Sequence, residues 1–314
     1  MATYAAKLRK EAIDNSTIKL NSLGKITAGG VMEPFSSSGR PSVFYADGNV
    51  TSSGDGRSWD TAFKTLKEGL AACHSYMSTS ANRAWAQRAT LYCCADNFTE
   101  DITQFAEKTD IVGVGTTAQH PRVRIEGTHV LEAYTEDTYH SCRWFNCEFY
   151  GAAAGIIVDI PANQNGQEFH NCVFSAVDGA TIGLRAVQSH DMVIKNCWFD
   201  PNTSGTGFAT AAIQINAGVC TNFLLEDNRI FSAGIGLDFN CTAGQALNCW
   251  AIHNNIFATG QTIDDESTNL FVTDNRLISA ATEGTGSAWT FSTARSAGNI
   301  STGSNDTKNV PAND

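Results

Sequence analysis

The sequence predicts an all-β chain wound as a parallel β-helix, a solenoid in which each coil stacks on the one before. Three observations predict it. A hexapeptide with Asn or Asp at its third place recurs six times, and an alternating apolar stretch falls between successive copies. Charged residues make up only 17% of the 314 residues, and Gly (27), Ser, Thr, Asn and Ala take their place; about 25% charged is usual for a globular domain. Few helix formers and many small polar residues suit short strands joined by tight turns.

Residues 1–40 read as an arm. They hold Lys7, Arg9, Lys10, Lys19, Lys25 and Arg40 against Glu11, Asp14 and Glu33, a balance of +3, so the remainder carries −14 of the net −11. A basic leader on an acidic body suits attachment or oligomerisation, with Lys7, Arg9 and Lys10 docking on another protein; the plainer alternative is a solvated terminus. The first residues lack the apolar run of a secretory signal. No stretch reaches the length of a spanning helix, so no membrane insertion is expected. The acidic balance argues against nucleic acid, which needs a basic footprint.

Residues 41–280 read as the β-helix. It opens with a capping helix near residues 58–73, with Ser58 and Asp60 as cap candidates and Phe63, Leu66, Leu70 and Cys73 on one face. Such a helix would cover the first coil and shield an open sheet edge. Ala89–Cys93 and Ile111–Val114 supply the first strands.

The hexapeptides follow: Trp144-Phe-Asn-Cys-Glu-Phe149, Phe169-His-Asn-Cys-Val-Phe174, Ile194-Lys-Asn-Cys-Trp-Phe199, Leu225-Glu-Asp-Asn-Arg-Ile230, Ile252-His-Asn-Asn-Ile-Phe257 and Val272-Thr-Asp-Asn-Arg-Leu277. Their third places fall at 146, 171, 196, 227, 254 and 274. Two strands meeting at a sharp corner need a residue that tolerates left-handed backbone geometry, and Asn does so cheaply. Stacking then lines up like residues about 4.8 Å apart. This predicts a ladder of Cys147, Cys172, Cys197, Asn228, Asn255 and Asn275, in which the compact cysteines fill the corner without hydrogen bonds.

Between the corners lie Ile156–Ile160, Ile182–Ala186, Ile213–Ala217 and Ile235–Phe239, with a weaker copy starting at Ile263. Residues 281–314, with Trp289 and Phe291 among small polar residues, read as a C-terminal cap or tail. The ten cysteines contain no Cys-x-x-Cys and fit no standard zinc spacing. Without export they stay mostly reduced, so neither a disulfide framework, a metal nor a cofactor is expected.

Val43-Phe-Tyr-Ala-Asp-Gly48 and Gly54-Asp-Gly-Arg-Ser-Trp-Asp-Thr-Ala-Phe-Lys-Thr-Leu66 resemble the entry module of right-handed parallel β-helix proteins of the pectate-lyase-like superfamily. Together with the repeats, the resemblance covers roughly residues 43–280. It implies a right-handed helix but leaves function open among polysaccharide lyases, glycoside hydrolases, adhesins and virion spikes or decorations.

In enzymes of this superfamily the chemistry sits on the outward face of one strand column. Counting three residues from each starting Ile places Asp159, Arg185, Asn216, Asp238 and Glu266 in that column here; one residue from each start come Gln214 and Asp264. Asp238, Asp264 and Glu266 would crowd neighbouring coils as the carboxyls of a hydrolase. Arg185 would be the base of a lyase, or merely an ion-pair partner of Asp159. Trp198 is the candidate glycan platform, although most aromatics in such a pattern are core. His190 and His253 read as solvated or corner-packed.

The leader, the sparse charge and the absence of a dense catalytic cluster favour a non-enzymatic virion structural protein: a β-helical spike, head fibre or capsid decoration. It would be assembled in the host cytoplasm, docked on capsid or tail proteins through residues 1–40, trimeric, and able to contact host-surface polysaccharide. The alternative is a polysaccharide-degrading enzyme, a phage depolymerase, lyase or hydrolase, acting on the outward strand face. An exported glycan-binding adhesin is a third reading.

Overall fold

The computed structural model describes residues 42–301 apart from 79–87, 95–96, 115–122, 135–140, 152–154, 177–179, 189, 201–206, 217, 242–245, 268, 280–288 and 291–295, together with the backbone of 24–26 and 32–34. Lys7, Arg9 and Lys10 lie outside the described residues. Within the predicted arm, Gly24–Ile26 and Met32–Pro34 pair as a short antiparallel ladder.

The described strands form three long parallel sheets of ten, nine and seven strands, each sheet taking one strand from successive coils. Position 1 of the hexapeptide runs in register as Ile111, Trp144, Phe169, Ile194, Leu225, Ala251 and Val272 on the ten-stranded sheet. After the corner, Phe149, Phe174, Phe199 and Ile230 align on the nine-stranded sheet. Both columns point inward and are buried. The rings of Phe149, Phe174 and Phe199 stack with centroids 5.4 and 4.5 Å apart, and each buried Phe contributes about 1.5–3 kcal/mol.

The corner is left-handed as the sequence demands. Asn146, Asn171, Asn196, Asp227, His253 and Asp274 all have φ between 53° and 56°. Gly298, at φ 66°, adds a seventh copy, Ser296-Ala-Gly-Asn-Ile-Ser301, which lacks the Asn or Asp at the third place. The fifth copy begins at Ala251, not Ile252, because His253 occupies the left-handed place. The ladder residue is therefore Asn254. Asn255 lies one place further on, in the strand Asn255–Ala258, in register with Arg229 and Arg276.

Each ladder Asn binds the coil before it twice. The Nδ2 groups of Asn228, Asn254, Asn275 and Asn299 donate to the carbonyls of Ile194, Leu225, Ala251 and Val272 at 2.7–2.9 Å. Their Oδ1 atoms accept from the backbone N–H of Cys197, Asn228, Asn254 and Asn275 at 2.8–3.0 Å. The cysteine half is not free of hydrogen bonds, contrary to expectation. The thiols of Cys172 and Cys197 lie 3.4 Å from the carbonyls of Trp144 and Phe169, the same carbonyl column. No disulfide joins any of the ten cysteines. Burial pushes the Cys73 and Cys197 thiols up, which keeps them neutral.

The capping helix sits later than predicted. Ser58 caps only a 3-10 turn, Trp59–Thr61, by accepting from Thr61 N–H. Phe63 then bridges to Ala46 in extended form, so the α-helix begins at Leu66 and runs to Ser78. Its start is a capping box: Glu68 N–H donates to Thr65 Oγ1 and Thr65 N–H to Glu68 Oε2. The Glu100 carboxylate also accepts from the N–H groups of Leu66 and Lys67. Leu66, Leu70, Cys73 and Met77 are buried over the first coils.

Candidate functional site

The seven-stranded sheet contains Gly155–Ile160, Ala180–Val187, Ala211–Asn216, Ile235–Asn240 and Ile263–Asp265 on successive coils. Val158, Leu184, Ile213, Leu237 and Ile263 are in register and buried. The residue after each therefore points outward, which makes the column Asp159, Arg185, Gln214, Asp238 and Asp264. Two predicted members fall out. Asn216 is two places beyond Gln214. Glu266 follows the strand Ile263–Asp265, is exposed, and its N–H donates to the Phe239 carbonyl. Both errors are slips by two residues. Apolar alternation repeats every two residues, so it cannot separate Ala211 from Ile213 as the start of a strand. Ile263 aligns with Leu237, two places into its strand, because the place matching Ile235 is taken by the polar Gln261.

The column divides into two parts. At one end Arg185 donates to both oxygens of Asp159, at 2.9 and 2.7 Å. Those hydrogen bonds raise the pKa of Arg185 further, which holds it as a cation paired with Asp159. At the other end Gln214 Nε2 donates to Asp238 Oδ2 at 2.7 Å. Asp238 is only 8% exposed. Burial pushes its carboxyl above the usual range; the Gln214 hydrogen bond opposes this and the charge of Asp264 adds to it. Asp264 lies directly opposite on the next coil and is half-buried.

Its neighbour Asp265 points the other way. It is buried and accepts from Ser267 Oγ and Leu270 N–H, so it serves the turn.

The remaining predicted residues lie elsewhere. Trp198 is on the nine-stranded sheet, 38% exposed, with the Arg229 guanidinium 5.4 Å from its ring centroid. His190 Nδ1 meets Thr221 Oγ1 at 2.8 Å in a turn. His253 is the exposed corner residue between Asp227 and Asp274. Among the described residues no three His, Cys, Asp or Glu side chains converge as metal ligands.

The column is thus a carboxyl pair with unequal environments, oriented by an amide and flanked by an ion pair. Gln214 and Asp264 are the participants that the sequence placed in a different column from Asp238.

Among curated proteins none matches the sequence. A pectin methylesterase from Aspergillus niger is similar in structure, with a TM-score of 0.49 and 12% identity over 86% of this chain and 89% of that one. The family model described as "Right handed beta helix region" matches residues 133–305. That interval holds the corner copies from Trp144 to Ile300 and the whole outward column. With its three parallel sheets and a match over more than half its length, the chain belongs to the right-handed β-helix family.

Proposed function

We propose that the protein hydrolyses a polysaccharide on the outward face of the seven-stranded sheet. The observation that carries this reading is Asp238: a buried carboxyl with a raised pKa, in register with a second carboxyl, Asp264, on the next coil. Glycosidic hydrolysis needs such a pair, one member protonated and the other not.

Because Asp238 Oδ2 accepts from Gln214, a proton on Asp238 belongs on Oδ1. From there it passes to the glycosidic oxygen as the bond to the anomeric carbon breaks. The Asp264 carboxylate forms a new bond to that carbon, and the freed sugar leaves with the proton. Asp238, now ionised, then takes a proton from water, whose oxygen displaces Asp264 and restores both groups. In-register neighbours on adjacent strands lie about 4.8 Å apart, and a short carboxyl separation goes with this double displacement and net retention. Arg185 and Asp159, two and three coils from Asp238, offer donors and acceptors to sugar hydroxyls further along the chain.

The test is the release of reducing ends from a panel of acidic and neutral polysaccharides. Wild type should release them, and Asp238→Asn should lower the rate by roughly 100-fold or more with an unchanged melting curve. Activity should also fall as pH rises through the raised pKa of Asp238, since the acid form is required. If wild type releases no reducing ends, the reading fails.

A second reading rests on the +3 leader ahead of a −14 body. In it the chain is a virion structural protein whose residues 1–40 dock on a capsid or tail protein, and the face of Asp238 and Asp264 is only a solvated surface. The combination of no released ends with incorporation into particles that depends on residues 1–40 favours it.

A further inference from the structure

Most charged side chains on the outer faces of the described coils have partners. Arg88 and Arg143 share Asp110, Arg124 holds Glu148, Arg185 holds Asp159, and Lys195 holds Glu226. Two guanidinium groups depart from this pattern. Arg229 and Arg276 are exposed and form no ion pair with any described residue, on a chain whose net charge is −11.

They stand in one outward column of the nine-stranded sheet, in the register Trp198, Arg229, Asn255, Arg276. Phe231 and Phe257 stand in the neighbouring column, 5.9 Å apart. The Arg229 guanidinium lies over both Trp198 and Phe231, 5.4 and 5.3 Å from the ring centroids. Trp198 and Phe257 are each 38% exposed. Acids on and beside this face are engaged: Glu148 with Arg124 and Ser175, Asp200, on the strand of Trp198, with its own partner, and the corner carboxylates Asp227 and Asp274 with His253.

A guanidinium stacked over aromatic faces keeps its in-plane N–H groups free for a planar anion. Its rotamer is already restricted, so less freedom is lost on binding. Arg229 and Arg276 are two coils apart, about 9.6 Å at the usual strand spacing and roughly the span of two linked sugar rings. Trp198 and Phe257 offer flat apolar surfaces for the C–H face of a sugar.

We infer that this strip binds an acidic polysaccharide, taking uronate carboxylates on Arg229 and Arg276 and sugar rings on Trp198 and Phe257. A second copy of the chain is a poorer occupant. A symmetric pairing of this face sets arginine against arginine.

The inference shares the polymer class of the proposed function, but the strip is on a different sheet from Asp238 and requires no bond to be cut.

Affinity electrophoresis of the Asp238→Asn chain in gels containing polygalacturonate, hyaluronate, alginate or neutral dextran separates binding from cleavage. At least one uronate polymer should retard the protein, dextran should not, and the retardation should shrink with added salt. Arg229→Gln and Arg276→Gln should each weaken the apparent affinity roughly tenfold, and Trp198→Ala should weaken it while the fold, read by circular dichroism, is kept.

Absence of retardation in all three uronate gels overturns the inference, as does equal retardation of the Arg229→Gln/Arg276→Gln double variant. So does a shift of that variant from oligomer to monomer in sedimentation without loss of retardation, which would assign the strip to a second copy. Failure of hydrolysis alone leaves the binding result standing.

Discussion

His129 is fully buried, packed edge-on against Phe149 with ring centroids 5.5 Å apart. Its Nδ1 accepts from Ile102 N–H at 3.1 Å and its Nε2 faces the Ile125 carbonyl at 3.3 Å. That pattern assigns a neutral ring with the proton on Nε2. Burial is the main cause that lowers its pKa to about 4. The unfolded chain takes up this proton near pH 6.5, so below that pH the unfolded state binds more protons than the native one. Stability is unaffected by this group above about pH 6.5 and is lost as pH falls toward 4, by on the order of 3 kcal/mol. Denaturant unfolding at pH 7, 5.5 and 4.5 should follow that slope, and in the His129→Gln variant the part due to this residue should vanish. An unchanged slope would assign the acid sensitivity elsewhere.

The same scale explains where residue roles were legible in the sequence. Asp238 and Asp264 were recognisable as outward carboxyls of neighbouring coils, but Glu266 was drawn in and Gln214 left in the wrong column. A strand pattern fixes which residues face out, not which of two alternating residues meets its neighbour. Hydrogen-bond register decides that, and it is set by corners and loops outside the strand. The partner that fixes Asp238 Oδ2 could not be assigned without it.

At the scale of the element, the corner ladder carries the best test of register. Asn254 is buried, donates to Leu225 O and accepts from Asn228 N–H. Asn255, one residue on, makes no such ladder contact. Asn254→Ala should cost about 3 kcal/mol, since it strands buried groups on the neighbouring coils. Asn255→Ala should stay within about 0.5 kcal/mol. Paired chemical melts of the two variants check this, and equal costs would refute the register given above. The sequence showed the six corners because left-handed geometry restricts composition so strongly. It misplaced one because His253 takes the left-handed place ahead of two consecutive asparagines. It missed Gly298 because glycine satisfies the same backbone need without the Asn or Asp signature. The capping helix was found but placed early: Ser58 is a good cap residue, yet Phe63 is claimed by pairing with Ala46 before a helix can form.

At the scale of the molecule, the coils repeat one pattern and contact mainly their neighbours, so the ends need protection. The N-terminal end has the helix Leu66–Ser78, which buries Leu70 completely against the first coils. Leu70→Lys places a charge in that contact. It should lower stability by several kcal/mol and expose the strand Val43–Asp47 at the end of the ten-stranded sheet. Light scattering should then report association on mild heating that wild type lacks, and a monodisperse variant would count against the capping role.

The division of the corner column into a cysteine part and an asparagine part has a further consequence for how this solenoid opens. Hydrogen bonds hold the later coils at the corner through paired amides, whereas Cys147, Cys172 and Cys197 hold theirs through packed thiols and longer contacts. The two halves therefore differ in degree: one resists sliding between coils through paired amide bonds, the other through packing and weak thiol–carbonyl contacts. Every thiol in that first half is also sealed from solvent, so a thiol reagent can reach it only while its own coil is parted. The chain thus carries labels at defined heights, and the order in which they react reports the path along which the helix comes apart.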